Sequence, residues 1–159
     1  MSDQSNGQAT QAVNSLRPKL GGKLGVLDPA AIAKAEAALK NLAGNFGQWL
    51  NDEVAKLEAA RRALHDQGVN PTTAEALYFR AHDLKGLGAT YGFPLVTRIA
   101  ASLCQLTGEN EKRLKAPLTL VDAHVDAIRS IVAQDIRTED NPIGRALAES
   151  LEAQVAACG

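Results

Sequence analysis

The stretch Arg80-Ala81-His82-Asp83-Leu84-Lys85-Gly86-Leu87-Gly88 gathers the residues best suited to chemistry. On a helix that advances about 100° per residue, Leu77, Leu84, Gly88 and Tyr91 fall roughly 180° to 240° from His82. They form a compact apolar face for burial, so the histidine points to solvent. Within about 60° of it lie Glu75, Tyr78, Phe79, Lys85, Gly86 and Ala89. Tyr78, Phe79 and Ala89 make a docking surface beside the imidazole, although Phe79 can also tuck under a neighbouring helix. Lys85, three residues on, shares the surface of His82. A cation there disfavours imidazolium, which leaves the ring neutral and nucleophilic. It also stabilises negative charge on a phosphoryl group. Phosphoryl transfer asks mostly for positioning and charge stabilisation, so a histidine, a lysine and open space suffice as a half-site.

Two glycines within this helix sharpen the reading. Each costs about 0.8–1 kcal/mol relative to alanine in a helix interior. Gly88 falls on the core side, where it lets another helix approach. Gly86 falls on the histidine side one turn on, where its only advantage is absence of bulk. An H-x-x-K pair alone is usually a solvated polar face. The glycines and the aromatic flank tip the balance towards function.

The rest of the chain must position that helix. Its 159 residues are enough for one core, and 45% hydrophobic content with only 4% aromatics leaves Ala, Leu, Val and Ile to build it. Net charge is -1, so no field draws the protein to nucleic acid or anionic lipid, and neither is an expected partner. Cys104 and Cys158 stand far apart without a C-x-x-C pair, which makes neither a disulfide framework nor a zinc site. No basic and apolar leader and no long apolar run is visible, so a cytoplasmic location is expected.

Residues 1–27, rich in Ser, Asn, Gln and Gly, read as a flexible arm, with at most a marginal helix around Ala12 to Leu16. Residues 28–159 read as a single helical domain with its core over 30–136. Asp28-Pro29 is a helix start, followed by an apolar stripe of Ile32, Leu39, Leu42, Phe46, Leu50, Leu57 and Leu64 that ends at Gly68. Gly44 and Gly47 leave open one kinked helix or two stacked ones. Asn70-Pro71 starts the next helix, which runs to about Tyr91 and stops at Gly92 and Pro94. Leu95, Ile99, Leu103 and Leu106 mark another, ending at Gly108. A polar loop, Glu109 to Lys115, then leads to a helix with Leu118, Val121, Val125, Ile128 and Val132. Asn141-Pro142 opens the last, 142–157, with Ile143, Leu147, Leu151 and Val155 every four residues. No segment has strand period. The fold class is all-α, an antiparallel up-down four-helix bundle with a flexible N-terminal arm and an extra C-terminal helix.

On these residues the chain resembles the histidine phosphotransfer (HPt) domain family, whose signature H-x-x-K-G stands here as His82-Asp83-Leu84-Lys85-Gly86, with a further glycine at Gly92. The resemblance covers about residues 30 to 135. It implies that His82 accepts a phosphoryl group, at Nε2, from the aspartate of a receiver domain. Lys85 is then the charge partner and Gly86 the cleared space. The implied partners are receiver domains of response regulators and hybrid histidine kinases, with no cofactor or metal of the chain's own. The family usually has an apolar residue where Arg80 stands, so this arginine must snorkel to the surface. The family also often sets a polar side chain, commonly glutamine, from the next helix beside the histidine. Gln105 is the candidate, with Cys104 one register away.

Other readings compete. The histidine-kinase reading fails, because no Gly-rich nucleotide-binding segment appears and too little chain remains for an ATP domain. A metal-binding bundle lacks inward Glu and Glu-x-x-His ligands. A non-catalytic adaptor that binds receiver or kinase domains is the main alternative, and a monomer is expected. Among the remaining residues, His65 reads as a cation at a helix C-terminus and His124 as a surface residue. Trp49 reads as core or inter-helix packing, and Cys104 as a small buried hydrophobe.

Overall fold

The computed structural model describes residues 28–158, so the arm assigned to residues 1–27 lies outside the described residues. The described residues fall into two units, divided between Leu42 and Ala43. Among the described residues all regular structure is helical. The helices are α1 (Pro29–Gln67), α2 (Pro71–Leu87), α3 (Pro94–Thr107), α4 (Asn110–Lys115), α5 (Leu118–Ala133) and α6 (Pro142–Cys158).

Asp28 caps α1, its carboxylate accepting the Ala30 N–H at 3.2 Å ahead of Pro29. The helix is continuous for 39 residues, so Gly44 and Gly47 do not divide it. Its apolar stripe is buried only from Leu50 onward, through Val54, Leu57, Ala60 and Leu64. Ile32, Leu39 and Leu42 are exposed, contrary to a stripe packed along its whole length. At its end Gly68 takes φ +84°, a backbone state in which glycine alone is unstrained.

The second half of α1 packs antiparallel to α5, which three side-chain contacts show by their order. Arg129 reaches Glu58 at 2.8 Å, Arg61 reaches Asp126 at 3.0 Å and His65 reaches Asp122 at 3.0 Å. His65 does sit in the last turn of α1, but its ring bonds to Asp122 across the helix pair.

Asn70 starts α2 with a full capping box: its side chain accepts from the Thr72 and Thr73 N–H groups, and Thr73 Oγ1 accepts from the Asn70 N–H. The helix stops at Leu87, four residues earlier than Tyr91. Gly88 is its C-cap, and the chain then turns through Gly92 at φ +90°. A Cβ on Gly88 would lie 2.7 Å from the Thr97 nitrogen and 2.8 Å from its Oγ1. The expected close approach at Gly88 is therefore real, and α3 makes it.

Helix α3 is the hub, packing against α2, α4, α5 and α6. Leu95, Val96, Ile99, Ala100 and Leu103 have no exposure. The polar stretch after it is not a loop but the short α4. Its apolar periodicity is absent, so only long-range anchors reveal it: Arg113 donates to the Thr107 carbonyl at 2.9 Å and lies over the Tyr78 ring. Asn141 caps α6 through the Ile143 and Gly144 N–H groups. Helix α6 ascends alongside α3, Gly144 against Leu95 and Glu152 bridging Arg98 at 2.7 and 2.8 Å. Ala148, Leu151 and Val155 are buried, while Ile143 is exposed.

His124 is no surface residue. It has 0% exposure and sits in α5 against Ser102 of α3. Helical position placed it on a flank; packing of α3 covers that flank.

Candidate functional site

The cap at Asn70 fixes where α2 begins, and Leu77, Ala81 and Leu84 press its inner face into the core. His82, Asp83, Lys85 and Gly86 are consequently exposed on the opposite side. His82, Asp83, Gly86 and Leu87 line an open depression whose far wall is Glu53 of α1. A Cβ built on Gly86 meets nothing within 4 Å, so the glycine borders free space.

Aromatic rings stand on one side of the histidine. The Tyr78 ring centroid is 6.0 Å from that of His82, and Phe79 lies 5.6 Å from Tyr78. Arg113 clamps Tyr78 from α4, its guanidinium carbon 4.6 Å from the ring centroid. Tyr78 is thus partly buried and fixed, whereas Phe79 is 54% exposed and not tucked under a neighbour. Ala89 is exposed just beyond Gly88. Arg80 reaches solvent as anticipated and lies 3.9 Å from Asp83.

Charge around His82 is mixed. Lys85 is exposed, while Glu53 is held by Lys56 at 3.0 Å. Burial pushes the Cys104 thiol up, and the nearby Lys85 charge pulls it partly back. Cys104 is buried as expected, and its thiol feels the Lys85 charge.

Gln105 goes elsewhere. It lines a separate groove with Leu106, Lys112, Lys115 and Val155, not the depression of His82. One residue along a helix is a rotation of about 100°, enough to move a side chain from one neighbour to another. Two contributors were out of reach of sequence reasoning. Glu53 and Arg113 arrive from helices far along the chain, and neither carries a local motif. Among the described residues no group of three or more His, Cys, Asp or Glu side chains could hold a metal ion. No described helix is long and apolar enough to cross a membrane.

The site is thus an exposed imidazole on the outer face of a helical domain, with Lys85 on the same surface and open space at Gly86 one turn on. In the comparison with family models, the Hpt domain matches residues 29–156. The chain belongs to the Hpt domain family, and the match runs through α6 as well as the helices before it. Domains of this family act in phosphotransfer within phosphorelays, where they meet receiver domains and carry no kinase domain of their own. No curated protein and no solved structure matches the chain.

Proposed function

We propose that His82 accepts a phosphoryl group from a receiver-domain aspartate and donates it to another, between hybrid histidine kinases and response regulators. One observation carries this reading: His82 stands on the solvent face of α2 with unfilled space at Gly86 beside it. The neutral ring attacks phosphorus through Nε2. The N–P bond forms as the P–O bond of the aspartyl phosphate breaks, and the carboxylate leaves with the bonding pair. The ring proton stays on Nδ1, so the imidazole carries a positive charge until water takes that proton. Lys85 stabilises the oxygens in transit. Gly86 keeps the approach clear, and Tyr78, Phe79 and Ala89 give the partner a surface to rest on. The chain acts as a monomer, and the partner supplies Mg²⁺ and the aspartate.

Incubation with a phosphorylated receiver domain tests this. The expected product is an acid-labile, base-stable label on His82. Docking without any label would establish the adaptor reading instead.

A further inference from the structure

Trp49 has no part in the chemistry at His82, yet its surroundings are built. Phe46 stacks on Tyr91 with centroids 5.3 Å apart and planes at 30°. The indole leans on both, 5.6 Å from Phe46 and 6.2 Å from Tyr91. Held this way it packs between elements as expected but does not enter the core, for it is still 45% exposed. A half-exposed indole, fixed from below by two rings, offers large apolar area with little rotamer freedom left to lose. Tryptophans of this kind dominate the energetics of interfaces.

Position connects it to the histidine. Glu53, which walls the His82 depression, lies one turn beyond Trp49 on α1, about 6 Å along the axis. A transient interface buries up to roughly 600 Å² on each partner, a patch about 14 Å in radius if round. A partner centred on His82 with such a footprint crosses Glu53 and reaches the indole. On the opposite side Phe79 is exposed three residues before His82. The transfer site is therefore flanked by exposed aromatics on two different helices.

Resting on the reading of His82 as phosphoacceptor, we propose that Trp49 is a second anchor for the receiver domain. An apolar patch at the edge of the partner's docking face covers the indole. Trp49 sets how tightly, and which, receivers are held, and it leaves the transfer step to His82 and Lys85.

Trp49 is the chain's one tryptophan, so its emission reports on this patch directly. The probe is a tryptophan-free, unphosphorylated receiver domain, chosen from the source genome because its phosphorylated form labels the protein. Its addition should shift the emission saturably to shorter wavelength, in wild type and in His82→Gln alike. Trp49→Ala should raise the KM for phosphorylated receiver about tenfold, the scale of an interface anchor. Its kcat should stay within twofold, and Trp49→Phe should recover most of the loss. Unchanged emission during normal transfer would overturn the proposal, as would an unchanged KM or a loss confined to kcat. The wild-type emission needs no variant, so it decides the matter even where Trp49→Ala fails to fold. Failure of the underlying reading looks different: no receiver labels His82 at all, and the anchor proposal falls with it.

Discussion

His82 and His124 are the same side chain in opposite surroundings. His124 has no exposure, and both of its ring nitrogens are engaged. Its Nδ1–H donates to the Leu120 carbonyl at 2.8 Å, and the Ser102 hydroxyl donates to Nε2 at 2.9 Å. Each proton has its place in the neutral ring, and burial pushes the pKa of His124 down. No lone pair is left for an incoming electrophile. His82 sits at an open depression with Tyr78 to one side and no bulk at Gly86. A histidine tied into the core serves stability, and one kept out of it is free to react. The difference is one of packing, since nothing in the residue type distinguishes the two.

The sharpest way to break the contrast is to exchange the losses. His82→Gln should abolish labelling by a phosphorylated receiver while the helical circular dichroism and the melting temperature hold, because the ring lies outside the core. Labelling that survives would remove the proposed role of His82.

His124→Ala should do the converse. It should label normally as long as it is folded, yet lose about 3 kcal/mol of stability from the cavity and the stranded Ser102 hydroxyl. The neutral ring also predicts a pH dependence. His124 has its folded-state pKa below the ordinary 6.5, so the unfolded chain takes up the proton first as pH falls. Stability is full above pH 6.5 and declines below it, by at most about 1.4 kcal/mol per unit, until the folded-state pKa is reached. Above about pH 4.5 this precedes any loss from Glu58 and Glu152, whose carboxyls their arginine partners hold low. Urea midpoints at pH 7.5, 6.0 and 5.0 should show the decline, and the double variant His124→Leu/Ser102→Ala should flatten it. An equal slope in that variant would assign the effect to another group.

How much of this was open to the sequence depends on the range of each cause. The cap at Asn70 is a local matter, so the start of α2 and the outward aim of His82 could be read from residues 70–91. The close approach at Gly88 was legible for the same reason, because one glycine on the apolar side has few other uses. Periodicity reports that a face is apolar, not that anything covers it, and so Ile32, Leu39 and Leu42 looked buried and are exposed. His124 failed in the other direction: the ring is hidden only because Ser102 and α3 lie across it. Glu53 and Arg113 meet the histidine helix through tertiary contact alone. Gln105 and Cys104 differ by one step of rotation, finer than a wheel without a fixed crossing angle can resolve.

Lys85 tests the open side of the contrast more gently. Lys85→Ala should slow transfer on the order of tenfold, because the lysine acts on the phosphoryl oxygens. Receiver affinity should change little, since one exposed charge contributes about 1 kcal/mol or less to association. Single-turnover transfer at saturating receiver separates the two. A loss that appears only in affinity would make Lys85 a docking residue.

The two glycines carry the contrast down to single methyl groups, and Gly86→Ala should show the smallest effect of all. Gly86 and Gly88 are two residues apart, one at the free surface and one against α3. Alanine at 86 finds nothing within 4 Å and gains helix propensity, so Gly86→Ala should raise stability by about 0.5–1 kcal/mol, or roughly 3 °C in Tm. The same methyl at 88 would lie 2.7 Å from the Thr97 backbone nitrogen and 3.1 Å from the Phe93 carbonyl oxygen. Backbone cannot swing aside as a flexible side chain can, so α2 and α3 must part, and Gly88→Ala should cost about 1–3 kcal/mol. Transfer responds in the reverse order of size. Gly86→Gln, which fills the space beside His82, should slow labelling at least as much as the loss of Lys85, whereas folded Gly88→Ala should label normally. Thermal melts and labelling rates on the three variants decide this together. If Gly86→Gln transfers at the wild-type rate, the open space beside His82 has no role in the reaction, and Gly86 is there for some other reason.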